Sequence, residues 1–207
     1  MKQNIIVIDY GAGNLWSVLN AIRYLGSQAS ISGNPEEIRG AECLILPGVG
    51  SFRKAMETLQ HSNLAQAILE AVQLRGCKIL GICLGMQLLG SHGTEDGDTV
   101  GLGLIPNRVD KFTDRELSGN KIPHVGFNTV NFAECKGLFS NFSDEADFYF
   151  VHSYRMLPEN LQARLAICHY GVEFVAAFEK NNICGTQFHP EKSQTNGLML
   201  LDNFLKL

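Results

Sequence analysis

One segment constrains this chain more than any other: Lys78-Ile79-Leu80-Gly81-Ile82-Cys83-Leu84-Gly85-Met86-Gln87. Lys78 to Ile82 is a short apolar run, the pattern of a strand covered on both faces in a parallel sheet. Leu84 to Leu89 begins a helix, so the backbone must reverse between Gly81 and Gly85. Gly-x-nucleophile-x-Gly at such a turn has the form of a nucleophile elbow. A sharp turn there lifts one reactive atom above the sheet, and side chains at either glycine would clash. A buried structural cysteine is the commoner fate of a single thiol, but the two glycines and the strand-to-helix setting reverse that preference.

The same alternation recurs through the first half. Asn4 to Asp9 is a near-continuous apolar run broken by Gly11-Ala12-Gly13-Asn14. Leu15, Val18, Leu19, Ile22 and Leu25 then follow at helical spacing, with Asn14 as the N-cap. Cys43 to Leu46 reads as a strand ended by Pro47-Gly48-Val49-Gly50, and Leu64 to Leu74 as a helix. This order predicts an α/β fold with a doubly wound, mainly parallel sheet and helices on both faces. In the second half, Asp147–Tyr154, Ala163–Tyr170, Glu173–Phe178 and Ile183–Phe188 are β-rich runs, read as antiparallel strands added to the same domain. Ser193 is placed to cap a final helix. With no repeat or linker, residues 1–207 are expected to form one domain.

Composition narrows the function. Apolar residues make up 45% and charged residues 18%, with a net charge of −4. That sign gives no general attraction to phosphate, so nucleic acid is a poor partner. No apolar run is long enough to cross a membrane. The Ile5–Asp9 run is too short for a signal peptide, so a cytoplasmic location is expected. The six cysteines, at 43, 77, 83, 135, 168 and 184, contain no Cys-x-x-Cys pair. A zinc ribbon or dithiol redox site is therefore not expected, and all but Cys83 read as small buried hydrophobes.

A thiol at the elbow faces the positive end of the following helix, which favours the thiolate. The next backbone N–H, that of Leu84, points where an oxyanion would form. In Gln187-Phe188-His189-Pro190-Glu191, residues two apart project to one side, so Glu191 can orient the imidazole of His189 as the third member of a triad does. His152 is the rival base, but no nearby carboxylate orients it. Gly11-x-Gly13 is not a dinucleotide fingerprint, because its third glycine would fall at Trp16. Gly48-Val49-Gly50 follows a core strand at the same end of the sheet as Cys83, and its glycines permit the backbone angles of an oxyanion donor.

These segments, with Asp9-Tyr10-Gly11-Ala12-Gly13-Asn14, Pro123-His124-Val125-Gly126 and Tyr149-Phe150-Val151-His152-Ser153-Tyr154, resemble the class I, triad-type glutamine amidotransferases. Within that family they are most similar to the glutaminase subunits of imidazole glycerol phosphate synthases. The resemblance runs in order over essentially the whole chain, and it implies a flavodoxin-like α/β fold. It also implies that Cys83 attacks the carboxamide of L-glutamine, with His189 as base and acid and Glu191 orienting it. Val49, Gly50 and Leu84 would supply the oxyanion hole, and Gln87, Glu95, Ser153 and Tyr154 would hold the amino-acid end of glutamine. No metal or organic cofactor is implied. The ammonia would pass to a (β/α)8-barrel synthase in a heterodimer, for a step of histidine biosynthesis. Asn14, His124, Phe127, Tyr149 and Lys180 match the family's synthase-facing side. There is one departure: the family's Pro-His-Met-Gly-Trp-Asn is here Pro123-His124-Val125-Gly126-Phe127-Asn128. Relatives that feed ammonia to a sugar-modifying synthase, or a catalytically silent glutamine-binding subunit, are the alternative readings.

Overall fold

The structure, a computed structural model, describes residues 3–117, 119–159 and 161–207. Its first half alternates as expected: β1 (Ile5–Ile8), α1 (Leu15–Tyr24), β2 (Ala29–Ser32), α2 (Pro35–Arg39), β3 (Cys43–Gly48), α3 (Phe52–His61), α4 (Leu64–Leu69), β4 (Lys78–Cys83) and α5 (Leu84–Leu88). Short strands follow: β5 (His92–Gly93), β6 (Thr99–Val100) and β7 (Arg108–Lys111), then α6 (Asp114–Leu117). The second half holds β8 (His124–Phe132), β9 (Glu145–His152), β10 (Tyr154–Met156), β11 (Arg164–Tyr170), β12 (Val172–Lys180), β13 (Ile183–Thr186) and α7 (Gln194–Lys206).

Local chemistry accounts for the helix starts. The Asn14 side chain accepts from Ser17 N at 3.3 Å, and Asn34 accepts from Glu36 N at 3.0 Å with Pro35 in the first turn. Each satisfies a backbone donor that a helix leaves without a partner. The Leu64–Leu74 helix is present, but its last turn, Glu70–Leu74, widens to π spacing. Ser193 occupies the cap position of α7 without capping it. Its hydroxyl instead donates to His189 O at 2.7 Å and accepts from Tyr149 N at 2.9 Å.

One nine-stranded sheet, ordered β2-β1-β3-β4-β13-β12-β11-β8-β9, runs through both halves. The first five strands are parallel and the last four join antiparallel. The expectation that Ile183–Phe188 adds antiparallel needs correcting, because β13 lies parallel to β4 and only its other neighbour, β12, is antiparallel. A second sheet of four strands, β10-β7-β5-β6, covers the chain after α5. Alternation along β1 and β3 feeds the two faces: Ile6, Ile8, Leu44 and Leu46 bury under α3 and α4, while Ile5, Val7, Cys43 and Ile45 bury toward α1 and α7. The phenylalanines of the second half, among them Phe148, Phe150, Phe174 and Phe188, fill the same second layer.

Candidate active site

The turn at the end of β4 is built as an elbow. Cys83 sits at φ 55°, ψ −112°, a conformation costly for a residue with a side chain and one that clusters at functional sites. The flanking glycines make it possible. A Cβ on Gly85 would run into the Leu46 carbonyl oxygen, and one on Gly81 would lie 2.7 Å from the Gly85 backbone and from Met86 Cα. The helix that follows, α5, has five residues.

Cys83 opens into a cleft of about 330 Å³. Every residue expected to hold glutamine or its oxyanion lines that cleft: Val49, Gly50, Leu84, Gln87, Glu95, Ser153 and Tyr154. Gly48 pairs with Cys83 across β3 and β4, which sets the Val49–Gly50 loop beside the thiol, with Gly50 at φ 94°. A Cβ on Gly48 would meet the Tyr10 hydroxyl, Gly85 N and Leu84 Cβ, so only glycine fits there. Glu95 Oε2 accepts from Phe52 N at 2.9 Å, and burial raises its carboxyl against that bond.

His189 enters the cleft from the segment after β13. Its Nδ1 lies 2.8 Å from Glu191 Oε1, both side chains are buried, and Pro190–Lys192 form one tight 3-10 turn that holds the pair. Burial disfavours the imidazolium, but the Cys83 sulfur and the Glu191 carboxylate beside it outweigh that and hold the ring up at about 9. With Nδ1 committed to Glu191, Nε2 is the free end of the ring. It is buried and has no hydrogen-bond partner among the described residues.

The antiparallel half of the sheet curls over this end of the parallel half. The outward groups of β9 meet the segments that carry His189 and Cys83 one after another: Asn196 Nδ2 donates to Asp147 O at 3.1 Å, Ser193 Oγ accepts from Tyr149 N, His189 N donates to Tyr149 O at 3.0 Å, and Cys83 Sγ lies 3.9 Å from Val151 O. The sheet's last edge thus forms one wall of the cleft.

His152 lines the cleft but is not free to act as a base. Its Nδ1 donates to Tyr154 O at 2.8 Å, its Nε2 is 3.0 Å from His124 Nδ1, and burial pushes it down to about 3. His124 is a correction to the expected partner-facing set. Only 3% exposed, it is stacked on Phe150 and Tyr170 and held down at about 4 by burial, so its side chain is structural. Phe127, in contrast, is 52% exposed and meets Tyr149 edge-on at 5.6 Å, and Asn14 is exposed at the same end of the sheet. Lys180 is the second correction. It pairs with Ile183, which pairs with Ile79 near the start of β4, so Lys180 stands at the opposite end of the sheet from Cys83. The lysine beside Tyr149 is Lys192, whose Nζ lies 5.9 Å from that ring. The pattern His189-Pro190-Glu191-Lys192 held the signal for it, one residue past the carboxylate.

No group of three or more His, Cys, Asp or Glu side chains among the described residues is placed to hold a metal, and no helix is long and apolar enough to cross a membrane. The profile of the family described as "Glutamine amidotransferase class-I" matches residues 6–207. Among similar proteins is "Imidazole glycerol phosphate synthase subunit HisH" of Chlorobium chlorochromatii (strain CaD3), 45% identical over 98% of this chain and 100% of its own length. Another is "Imidazole glycerol phosphate synthase subunit HisH 1" of Parasynechococcus marenigrum (strain WH8102), 42% identical over 97% and 96%. Among solved structures, a chain of PurLQS from Thermotoga maritima superposes with a TM-score of 0.76 at 21% identity, over 100% of this chain and 99% of its own. A glutamine amidotransferase of the same organism gives 0.63 at 16% identity, over 92% and 77%.

Proposed function

The chain belongs to the class-I glutamine amidotransferase family, and from that premise we infer that it is the glutaminase subunit of an imidazole glycerol phosphate synthase, an enzyme of histidine biosynthesis. Relatives of that name at 42% and 45% identity, matched over nearly the full length of both chains, support this reading. The site roles rest on one observation: an elbow cysteine and a carboxylate-held imidazole open into the same cleft.

In the mechanism we assign, the Cys83 sulfur attacks the carboxamide carbon of glutamine. Leu84 N–H and the Val49–Gly50 loop receive the developing oxyanion, where preorganised donors have most effect. As the tetrahedral adduct collapses, the C–N bond breaks and the His189 imidazolium gives its proton to the departing nitrogen. A γ-glutamyl thioester on Cys83 remains. His189 then takes a proton from water, which hydrolyses the thioester to glutamate and frees the sulfur. Glu191 keeps the proton-bearing Nδ1 turned away, so that Nε2 does both transfers. Gln87, Glu95, Ser153 and Tyr154 hold the amino-acid end, with Glu95 matched in charge to the α-ammonium. No metal or organic cofactor takes part.

The ammonia passes to the synthase, which we read as a (β/α)8 barrel docked as a heterodimer on the face bearing Asn14, Phe127, Tyr149 and Lys192. In bulk water ammonia is mostly ammonium and not nucleophilic, so a sheltered route serves the chemistry. Phe127 keeps the ring and most of the apolar area of the family's tryptophan, losing mainly the indole N–H. We read residues 1–207 as one domain, since a single sheet spans both halves, and place the complex in the cytoplasm.

The test is a glutaminase assay with and without the synthase and its ligand. The parent chain should be slow alone and accelerate with the partner by about 10²–10³, the worth of one oxyanion donor. Cys83→Ala should abolish glutamate formation, while added ammonium salt still drives the synthase in the same complex. Near-normal glutaminase activity in Cys83→Ala, or no response to the partner, would refute the assignment.

A further inference from the structure

Gln187 has no role in the mechanism above, yet its side chain is fully buried at the sulfur. Its Nε2 lies 3.7 Å from Cys83 Sγ, within range for an N–H donor and a sulfur acceptor. We propose that Gln187 is a positioning residue that holds a fixed N–H donor on the Cys83 sulfur and so favours its thiolate. This rests on Cys83 being the nucleophile.

The direction of that amide follows from groups that can bond in only one sense. The Tyr154 carbonyl can only accept, and it receives both His152 Nδ1 at 2.8 Å and Gln87 Nε2 at 3.0 Å. The first bond puts the His152 proton on Nδ1. Because burial keeps the ring neutral, Nε2 is then an acceptor, filled by the Nδ1–H of His124 at 3.0 Å. His124 Nε2 in turn accepts from Asn128 Nδ2 at 3.3 Å. This chain fixes the Tyr154 carbonyl, and the carbonyl fixes the Gln87 amide.

Gln87 spends its other N–H on Gln187 Oε1, also at 3.0 Å. That end of the Gln187 amide must therefore be oxygen, and the NH₂ end must face Cys83. Flipping Gln187 would set two NH₂ groups against each other and an oxygen against the sulfur. Its backbone is held as well, since Gln187 N donates to Ala176 O at 2.7 Å. A thiolate accepts a hydrogen bond better than a thiol or a thioester sulfur. A donor locked on the sulfur therefore favours the attacking form, and favours sulfur as the leaving group when water opens the thioester.

The alkylation and resonance measurements need neither glutamine nor synthase, so they fail or succeed independently of the glutaminase assignment. Gln187→Glu keeps an acceptor for Gln87 but replaces the donor with an oxygen. Gln187→Met keeps the volume and removes both bonds. Each variant is treated with iodoacetamide at one near-neutral pH, and carbamidomethylation is followed by mass spectrometry at the Cys83 and Cys135 peptides. The half-buried Cys135 reports any general loosening. We expect alkylation of Cys83 to slow about tenfold or more in both variants, the worth of a hydrogen bond to a charged group, with Cys135 unchanged. In the parent, the Gln187 side-chain NH₂ resonance should move when Cys83 is carbamidomethylated. For Gln187→Glu, kcat in the complex should fall with little change in KM. Cys83 rates within twofold of the parent would overturn the proposal, as would slower Cys83 alkylation accompanied by faster Cys135 alkylation. If neither variant folds, an unmoved Gln187 resonance in the alkylated parent would overturn it.

Discussion

At His189 burial and partnership pull in opposite directions, and partnership wins. His152 and His124, in the same part of the molecule, are pushed the other way because burial dominates at both and neither has a carboxylate to offset it, while at His152 the positive charges of His189 and Arg155 add to the effect. The sequence distinguishes His189 because its carboxylate lies two residues on, inside one turn. It cannot announce that His152 is held by a carbonyl and a second imidazole, or that His124 is sealed under Tyr170, because those partners come from strand pairing. The same limit explains Lys180 and Lys192: a lysine's place in a docking face depends on which end of the sheet it reaches. The prediction that belongs to this scale separates proton transfer from orientation. His189→Ala should be the more severe variant, and Glu191→Gln should retain about one to two orders of magnitude more glutaminase activity, as is seen when the orienting member of a triad is lost instead of the base. Steady-state rates in the complex check it, and equal losses would count against the separate roles.

The strand–turn–helix of β4 and α5 was legible in the sequence because sterics leave so little choice there. The glycine spacing is a record of the Leu46 carbonyl on one side and the Gly85 backbone on the other. Gly85→Ala should therefore destabilise by more than about 3 kcal/mol, in the class of severe backbone and packing conflicts. It should also lower glutaminase activity in whatever protein remains soluble. Thermal unfolding checks it, and a midpoint within 2 °C or so of the parent would contradict the close contact. Other elements were less visible. Strand β8 carries His124, Gly126 and Asn128 among its residues, so no apolar alternation marks it out. Strands β5 and β6 have two residues each, too short for any period to show. The parallel setting of β13 depends on its landing beside β4, a choice made between distant segments and not within Ile183–Thr186.

Over the whole molecule the three perturbed histidines set opposing limits on stability with pH. His189 is raised to about 9 in the fold from an ordinary 6.5, so its contribution is complete below about pH 6.5 and is lost as the pH rises through about 9. His124 and His152 are lowered to about 4 and about 3, so their neutral, bonded state contributes above about pH 6.5 and is lost as the pH falls toward those values. Calorimetry should therefore find the highest Tm near pH 6.5, with each group changing stability by at most about 1.4 kcal/mol per pH unit on its own limb. A Tm that climbs steadily from pH 6.5 to 9 would contradict the sign assigned to His189. The curled sheet has a further consequence, for how the protein keeps to itself in concentrated solution. A terminal strand ordinarily offers its outward N–H and C=O groups to any neighbouring molecule, an invitation to self-association. In β9 the outward groups of Tyr149 are taken by Ser193 and His189, and the Asp147 carbonyl by Asn196, so the middle of this edge is covered. The segment that carries the imidazole is thus also a guard rail against edge-to-edge assembly. Directed-evolution libraries across residues 189–196 will mix lost turnover with lost colloidal stability, and light scattering has to accompany every activity screen drawn from them.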